Sequence, residues 1–108
     1  MKKSTRARLE ARGWKVSSAT EFLDLTPEEA ALVETRLALS RTLRERRVAQ
    51  KLTQHDLARR LKSSQSRIAK MEAADSSVSV DLLLRALFTL GADPKDIGRA
   101  LQRATRAA

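Results

Sequence analysis

The feature that most limits how this chain folds is the crowding of helix starts and stops between Leu52 and Glu72. Thr53-Gln54-His55-Asp56 reads as a helix N-terminus, a Thr with an acid three residues on. It opens a short helix to Leu61, with Leu57, Ala58 and Leu61 turned inward. Lys62-Ser63 is the turn and Ser64 the next cap. A further short helix runs from Gln65 to about Ala73 and buries Ile68 and Met71. Ala58 lacks bulk at the point where these two helices cross most closely. The stretch Ala74–Val78 is loop.

The flanking segments are helical as well. Thr26-Pro27-Glu28-Glu29 combines a capping Thr, a Pro suited to the first helical position and a Glu that closes a capping box. Acids fill that first turn and Arg44, Arg46 and Arg47 lie towards the far end, as the helix dipole favours. The helix is expected to end between Val48 and Lys51, burying Leu39 and Leu43, with Leu32 and Val33 needing cover from another surface. Ser79 caps a helix to Leu90, which Gly91 terminates. Its stripe is Val80, Leu83, Leu84, Leu87 and Leu90, with Leu82 and Ala86 outside it, so cover on more than one side is expected. Asp93-Pro94 starts a last helix carrying Ile97, Ala100, Leu101, Ala104 and Ala108 on one side. No strand-length alternating stretch appears, and the fold class is all-α with five helices. Residues 1–25 are expected to be a basic arm and a partly ordered extension, with a short helix starting at Ser18 or Thr20. Residues 26–108 are expected to form the folded domain, whose last two helices close the core and leave part of their stripes for a two-fold interface.

Charge is distributed in blocks that say more than the total of +9. Residues 1–15 carry six Lys/Arg and one Glu, residues 16–35 five acids and no base. Residues 36–72 then carry eleven bases and three acids, and residues 73–108 are close to balance. A basic block of this kind attracts a polyanion at long range. With no cysteine, disulfides, thiolate metal sites and thiol catalysis are excluded. The basic start has no apolar run behind it, and no apolar stretch is long enough to span a bilayer. A cytoplasmic chain without membrane contact is expected.

Two short helices joined by a tight turn, with a longer helix before and another after, make a helix-turn-helix arrangement. Successive residues of the second short helix turn by about 100°. Opposite the buried pair Ile68 and Met71 lie Gln65, Ser66, Ala69 and Lys70, with Arg67 on the flank. Gln makes bidentate bonds to adenine, Lys donates to guanine O6 and N7, and Ser reaches either. Base contacts are therefore assigned to Gln65, Ser66 and Lys70, and Ala69 leaves room for close approach. Phosphate contacts are assigned to Gln54, Arg59, Ser64 and Arg67, which orient without reading sequence. The alternative for all of them is an ordinary solvated helix face. His55 stands alone and reads as a solvated helix residue. No nucleophile–base pair, phosphate loop or metal cluster is present in the pattern, so neither enzymatic activity nor a metal or cofactor is expected.

Leu52-Thr53-Gln54-His55-Asp56-Leu57-Ala58, Ser63-Ser64-Gln65-Ser66-Arg67-Ile68 and Glu72 resemble the Xre/Cro, lambda-repressor-like helix-turn-helix family. Over Trp14 to Gly91 the chain is also similar to HigA-like antitoxins of type II toxin–antitoxin modules. Phe22-Leu23, Glu28-Glu29, Arg36-Leu37-Ala38-Leu39 and Leu43-Arg44 carry that second resemblance. The resemblance implies a homodimer on a palindromic operator in double-stranded DNA, repressing its own operon. It also implies a structural ion pair between Arg47 and Glu72. Lys62 departs from the family, which usually has Gly at a turn position of positive φ, and strain of about 1 kcal/mol is expected there.

The acidic segment Glu21–Glu34 suits a basic ribonuclease toxin, and Trp14, Phe22 and Leu23 are the residues assigned to that contact. Two other readings stay open. One is a stand-alone Xre-type or phage-type regulator without a toxin. The other is a non-specific nucleic-acid-binding protein whose affinity is indifferent to sequence; the arm residues Lys2, Lys3, Arg6, Arg8 and Arg12 read as a solvated basic segment, with a minor-groove or non-specific DNA contact as the alternative.

Overall fold

The computed structural model describes residues 24–107, with side chains to residue 104. The arm, the short helix expected at Ser18 or Thr20, and Trp14, Phe22, Leu23 and Ala108 lie outside the described residues. Within them the chain is all-α, with five helices and no strand: α1 Pro27–Ala49, α2 Gln54–Leu61, α3 Gln65–Glu72, α4 Val80–Thr89 and α5 Pro94–Ala107.

The starts follow the capping chemistry. Thr26 accepts from the Glu29 N–H at 3.1 Å while Glu29 accepts from the Thr26 N–H at 3.0 Å. Thr53 and Asp56 repeat this reciprocal box at the head of α2. Ser64 and Ser79 cap α3 and α4 through their hydroxyls. At α5 the Asp93 carboxylate accepts from the Asp96 N–H at 2.8 Å and the Asp96 carboxylate from the Asp93 N–H at 3.0 Å. Each box satisfies amide donors that the first turn of a helix otherwise leaves orphaned.

The stops share one device. After each of α1 to α4 a residue takes left-handed geometry: Lys51 at φ 59°, Lys62 at φ 53°, Ala74 at φ 58° and Gly91 at φ 93°. The next amide then reaches back five residues, Leu52 to Arg47, Ser63 to Ala58, Asp75 to Lys70 and Ala92 to Leu87, at 2.8 to 3.1 Å. The left-handed residue itself donates to a carbonyl three back in all four cases. This is the Schellman ending, which satisfies orphan carbonyls and turns the chain sharply. Lys62 adopts the positive φ expected of it, and Lys51 and Ala74 do so without any glycine to announce it.

One core joins α1 to α5. Leu39, Leu43, Leu57, Ile68, Met71, Leu83 and Leu87 are each at most 1% exposed, and Ala58, Val78, Ala86, Leu90 and Ala92 complete it. Ala86, placed outside the α4 stripe by its periodicity, is fully buried, because α4 is covered on more than one side. Leu52, Leu61, Ile97 and Leu101 pack on the margin of the core. A small satellite cluster of Val33 and Ala74, with Leu25 and Leu37, ties the first half of α1 to the end of α3. Leu32 gains no such cover and stays 48% exposed. Among the described residues no helix is long and apolar enough to cross a membrane.

Candidate nucleic-acid interface

Eight residues form α3, and two of them fix its orientation. Ile68 and Met71 are fully buried against α1, α2 and α4, so the opposite side is turned out of the core. Ser66, Arg67 and Lys70 are exposed there, and Gln65 and Ala69 are half-buried. Among the described residues Lys70 has no ion-pair partner, and no hydrogen bond reaches the Gln65 side-chain oxygen.

A chain of polar contacts stiffens the inner edge of this surface. Arg47, near the end of α1, grips Glu72 with Nε on Oε2 at 2.5 Å and Nη2 on Oε1 at 3.0 Å. Its Nη1 donates to the Leu52 carbonyl at 2.8 Å, holding the chain between α1 and α2. The pair is little exposed, and the Glu72 hydrogen bond holds the Arg47 guanidinium above its ordinary pKa. Glu72 Oε1 also accepts from Gln54 Nε2 at 3.1 Å, and Gln54 Oε1 in turn accepts from Gln65 Nε2 at 2.6 Å. The effect is local and specific: the Gln65 carboxamide is oriented by α2, and α2 by a charged clamp. Gln54, assigned from sequence to phosphate, has its amide turned towards Gln65 and Glu72 instead, since both lie within reach across the tight turn.

The other assigned residues surround this edge. Arg59 is exposed on α2 and pairs with Asp56 on the same helix. Backbone and hydroxyl hydrogen bonds from Thr53, and then Arg59, hold the Asp56 carboxyl below the usual carboxylate range. Ser64 spends its hydroxyl on the Arg67 N–H and lies 3.2 Å from the Ser66 hydroxyl. His55 is exposed. No group of three metal-ligating side chains occurs among the described residues.

A contribution invisible in the sequence comes from the loop after α3. Ser77 joins Ser64, Ser66, Arg67, Lys70 and Val78 around an open concavity of about 370 Å³. Asp75 fixes that loop, accepting from the Ser77 hydroxyl at 2.6 Å and its N–H at 2.9 Å. The Ser77 hydroxyl, then its N–H, lowers the Asp75 pKa, with Lys70 and Arg36 adding to it. Hydroxyls and two cations around one hollow are chemistry suited to a phosphate oxygen. Loop position hides such a residue, since the turn that brings Ser77 back beside Ser64 depends on the left-handed Ala74.

Residues 38–100, from within α1 to within α5, match the family described as a helix-turn-helix domain. The chain belongs to that family. No curated protein and no solved structure matches the chain. As an Xre-like helix-turn-helix domain it is a DNA-binding protein, with α2 and α3 as the paired helices. In such domains the second helix enters the major groove and its N-terminal residues meet base edges. The helix-turn-helix family is a binding class, in keeping with a surface that offers hydrogen-bond donors and cations.

Proposed function

We propose that this helix-turn-helix protein is a cytoplasmic, sequence-specific repressor that binds a palindromic operator as a homodimer and silences its own operon. The observation that carries the reading is the two-sidedness of α3, with Ile68 and Met71 fully buried and Ser66 and Lys70 exposed opposite them. Gln65, Ser66 and Lys70 are the base-reading residues. Gln65 has an amide already oriented by Gln54, which lowers the ordering cost of a bidentate contact to adenine. Arg59, Ser64 and Arg67 hold phosphates and fix the register of α3 in the groove. Gln54 acts on the bases through Gln65. A helix of this length spans about 12 Å and reads only a few base pairs, so two copies on half-sites about 34 Å apart supply the rest.

The finer part of the proposal is that the repressor is the antitoxin of a toxin–antitoxin pair. Its support is the first half of α1, where Glu28 is exposed one turn before a half-exposed Leu32. An acid-edged apolar surface complements a basic ribonuclease. Trp14, Phe22 and Leu23 extend that contact in an extension of residues 1–25, ahead of a DNA-binding and dimerising domain of residues 26–108. The second reading, a stand-alone regulator, is favoured by the extent of the family match, which begins at residue 38 and leaves the acidic segment out.

Footprinting on DNA upstream of its own gene tests the repressor reading. A protected two-fold site that competitor DNA does not erase is expected, and uniform protection at all sequences would refute it. For the antitoxin part, removal of residues 1–25 is expected to abolish neutralisation of a toxin encoded beside the gene while sparing the footprint. Neutralisation that survives the deletion contradicts it.

A further inference from the structure

The outer face of α4 is apolar at its centre and charged in two opposite senses beside it. Phe88 is 46% exposed, and Leu84, one turn earlier, is only partly covered. Asp81 and Arg85 share this face with them around an open hollow that Thr89 completes. The four positions recur at the spacing of helix turns, opposite the buried Leu83, Ala86, Leu87 and Leu90. Both charged residues are exposed, and neither makes an ion pair among the described residues. On the last helix Ala100 is buried, and Ile97 and Leu101 pack on the margin of the core. Its Asp96 is paired with Arg46 and Arg99.

We infer that this face of α4 is where a second copy of the chain docks, by two-fold antiparallel packing of α4 on α4. The inference rests on the repressor reading only for the need of a dimer; the choice of surface comes from α4 itself. A two-fold contact must be self-complementary, each patch meeting its own copy. With the axis passing between Leu84 and Arg85, Asp81 lies about 4.5 Å along the helix direction from Arg85 of the second copy. That offset is within reach of an arginine side chain, and symmetry makes the pairing twice. The same axis sets Phe88 level with Asp81 of the second copy and about 4.5 Å along the helix direction from its Leu84, within reach of the exposed ring. A parallel arrangement would instead set Asp81 on Asp81 and Arg85 on Arg85, which like-charge repulsion disfavours.

The test is sedimentation equilibrium of the full chain and its variants over a range of concentrations, with a gel shift on a single half-site beside it. Asp81→Arg alone and Arg85→Asp alone are each expected to weaken the dimer by roughly tenfold, since two cross-pairs turn repulsive. The double variant D81R/R85D is expected to return to within about threefold of the parent, because the exchange restores both pairs. Phe88→Asp is expected to leave a folded monomer with the parent's helical circular dichroism, melting lower only by the stabilisation that dimerisation adds. A parent chain that is monomeric throughout overturns the proposal, as does a dimer indifferent to all of these changes or a double variant weaker than either single one. The half-site shift separates this from the repressor reading: sequence preference retained by a monomeric Phe88→Asp leaves that reading standing, and its absence in the parent chain refutes it alone.

Discussion

The end of α4 and the ends of α1, α2 and α3 adopt the same backbone turn with different residues. After α4 the left-handed position is Gly91, which takes φ 93° with no side chain to oppose it. After the other three it is Lys51, Lys62 and Ala74, all of which carry a Cβ and bear the cost of about 1 kcal/mol or more that left-handed geometry exacts from L-residues. Those three bracket the two helices of the helix-turn-helix, and at Lys51 and Ala74 other contacts hold the turn in place. Arg47 bonds the Leu52 carbonyl, Glu72 holds Arg47, and the Ala74 methyl is buried beside Val33. Local strain at Lys51 and Ala74 is thus tolerated where tertiary contacts over-determine the turn; the Gly91 turn is held as well, by Gln50 Nε2 donating to the Leu90 carbonyl at 2.6 Å, so such contacts do not alone decide where glycine stands.

The largest effect expected from breaking this arrangement is at the clamp. Glu72→Ala leaves a little-exposed Arg47 unpaired and frees the Gln54 amide, and is expected to cost about 3 kcal/mol by urea denaturation. A loss under about 1 kcal/mol would mean the clamp does not hold the turns. Next comes Gly91→Ala. The added methyl meets nothing within 4 Å, so backbone strain alone acts. A loss of about 1 kcal/mol is expected in the same assay. Lys62→Gly is expected to move the other way, stabilising by about 0.5–1 kcal/mol once the greater freedom of the unfolded glycine is deducted. Ala74→Gly sharpens the contrast and should be smallest. Relief of strain is offset by the loss of a buried methyl, of order 0.8 kcal/mol, so the melting temperature should barely change. Equal gains at positions 62 and 74 would show that the burial of Ala74 carries no weight.

The helix starts were legible because their chemistry is local. Thr26, Thr53, Ser64, Ser79 and Asp93 each cap from within three residues of their partner, so the pattern lies in the sequence. Periodicity likewise exposed the two sides of α3. The stops were only partly legible. Gly91 announces itself and Lys62 is expected from the family turn, whereas Lys51 and Ala74 take left-handed geometry under tertiary constraint. That is also why Ser77 escaped notice, its place beside Ser64 being set by a turn at Ala74. The bond from Gln54 to Glu72 is not legible from local pattern, because the two lie 18 residues apart in sequence. The burial of Ala86 was legible too, since apolar residues outside the α4 stripe call for cover on more than one side.

The most direct test is a comparison of base preference and salt dependence for Gln65→Ala, Lys70→Ala and Arg67→Ala, measured on a panel of operator variants. Gln65→Ala and Lys70→Ala should each relax preference at one base pair by about 1–3 kcal/mol. Arg67→Ala should instead weaken binding to every variant alike and shallow the salt dependence by about one phosphate contact. If all three changes alter salt dependence alone and no base pair loses its preference, α3 does not read sequence.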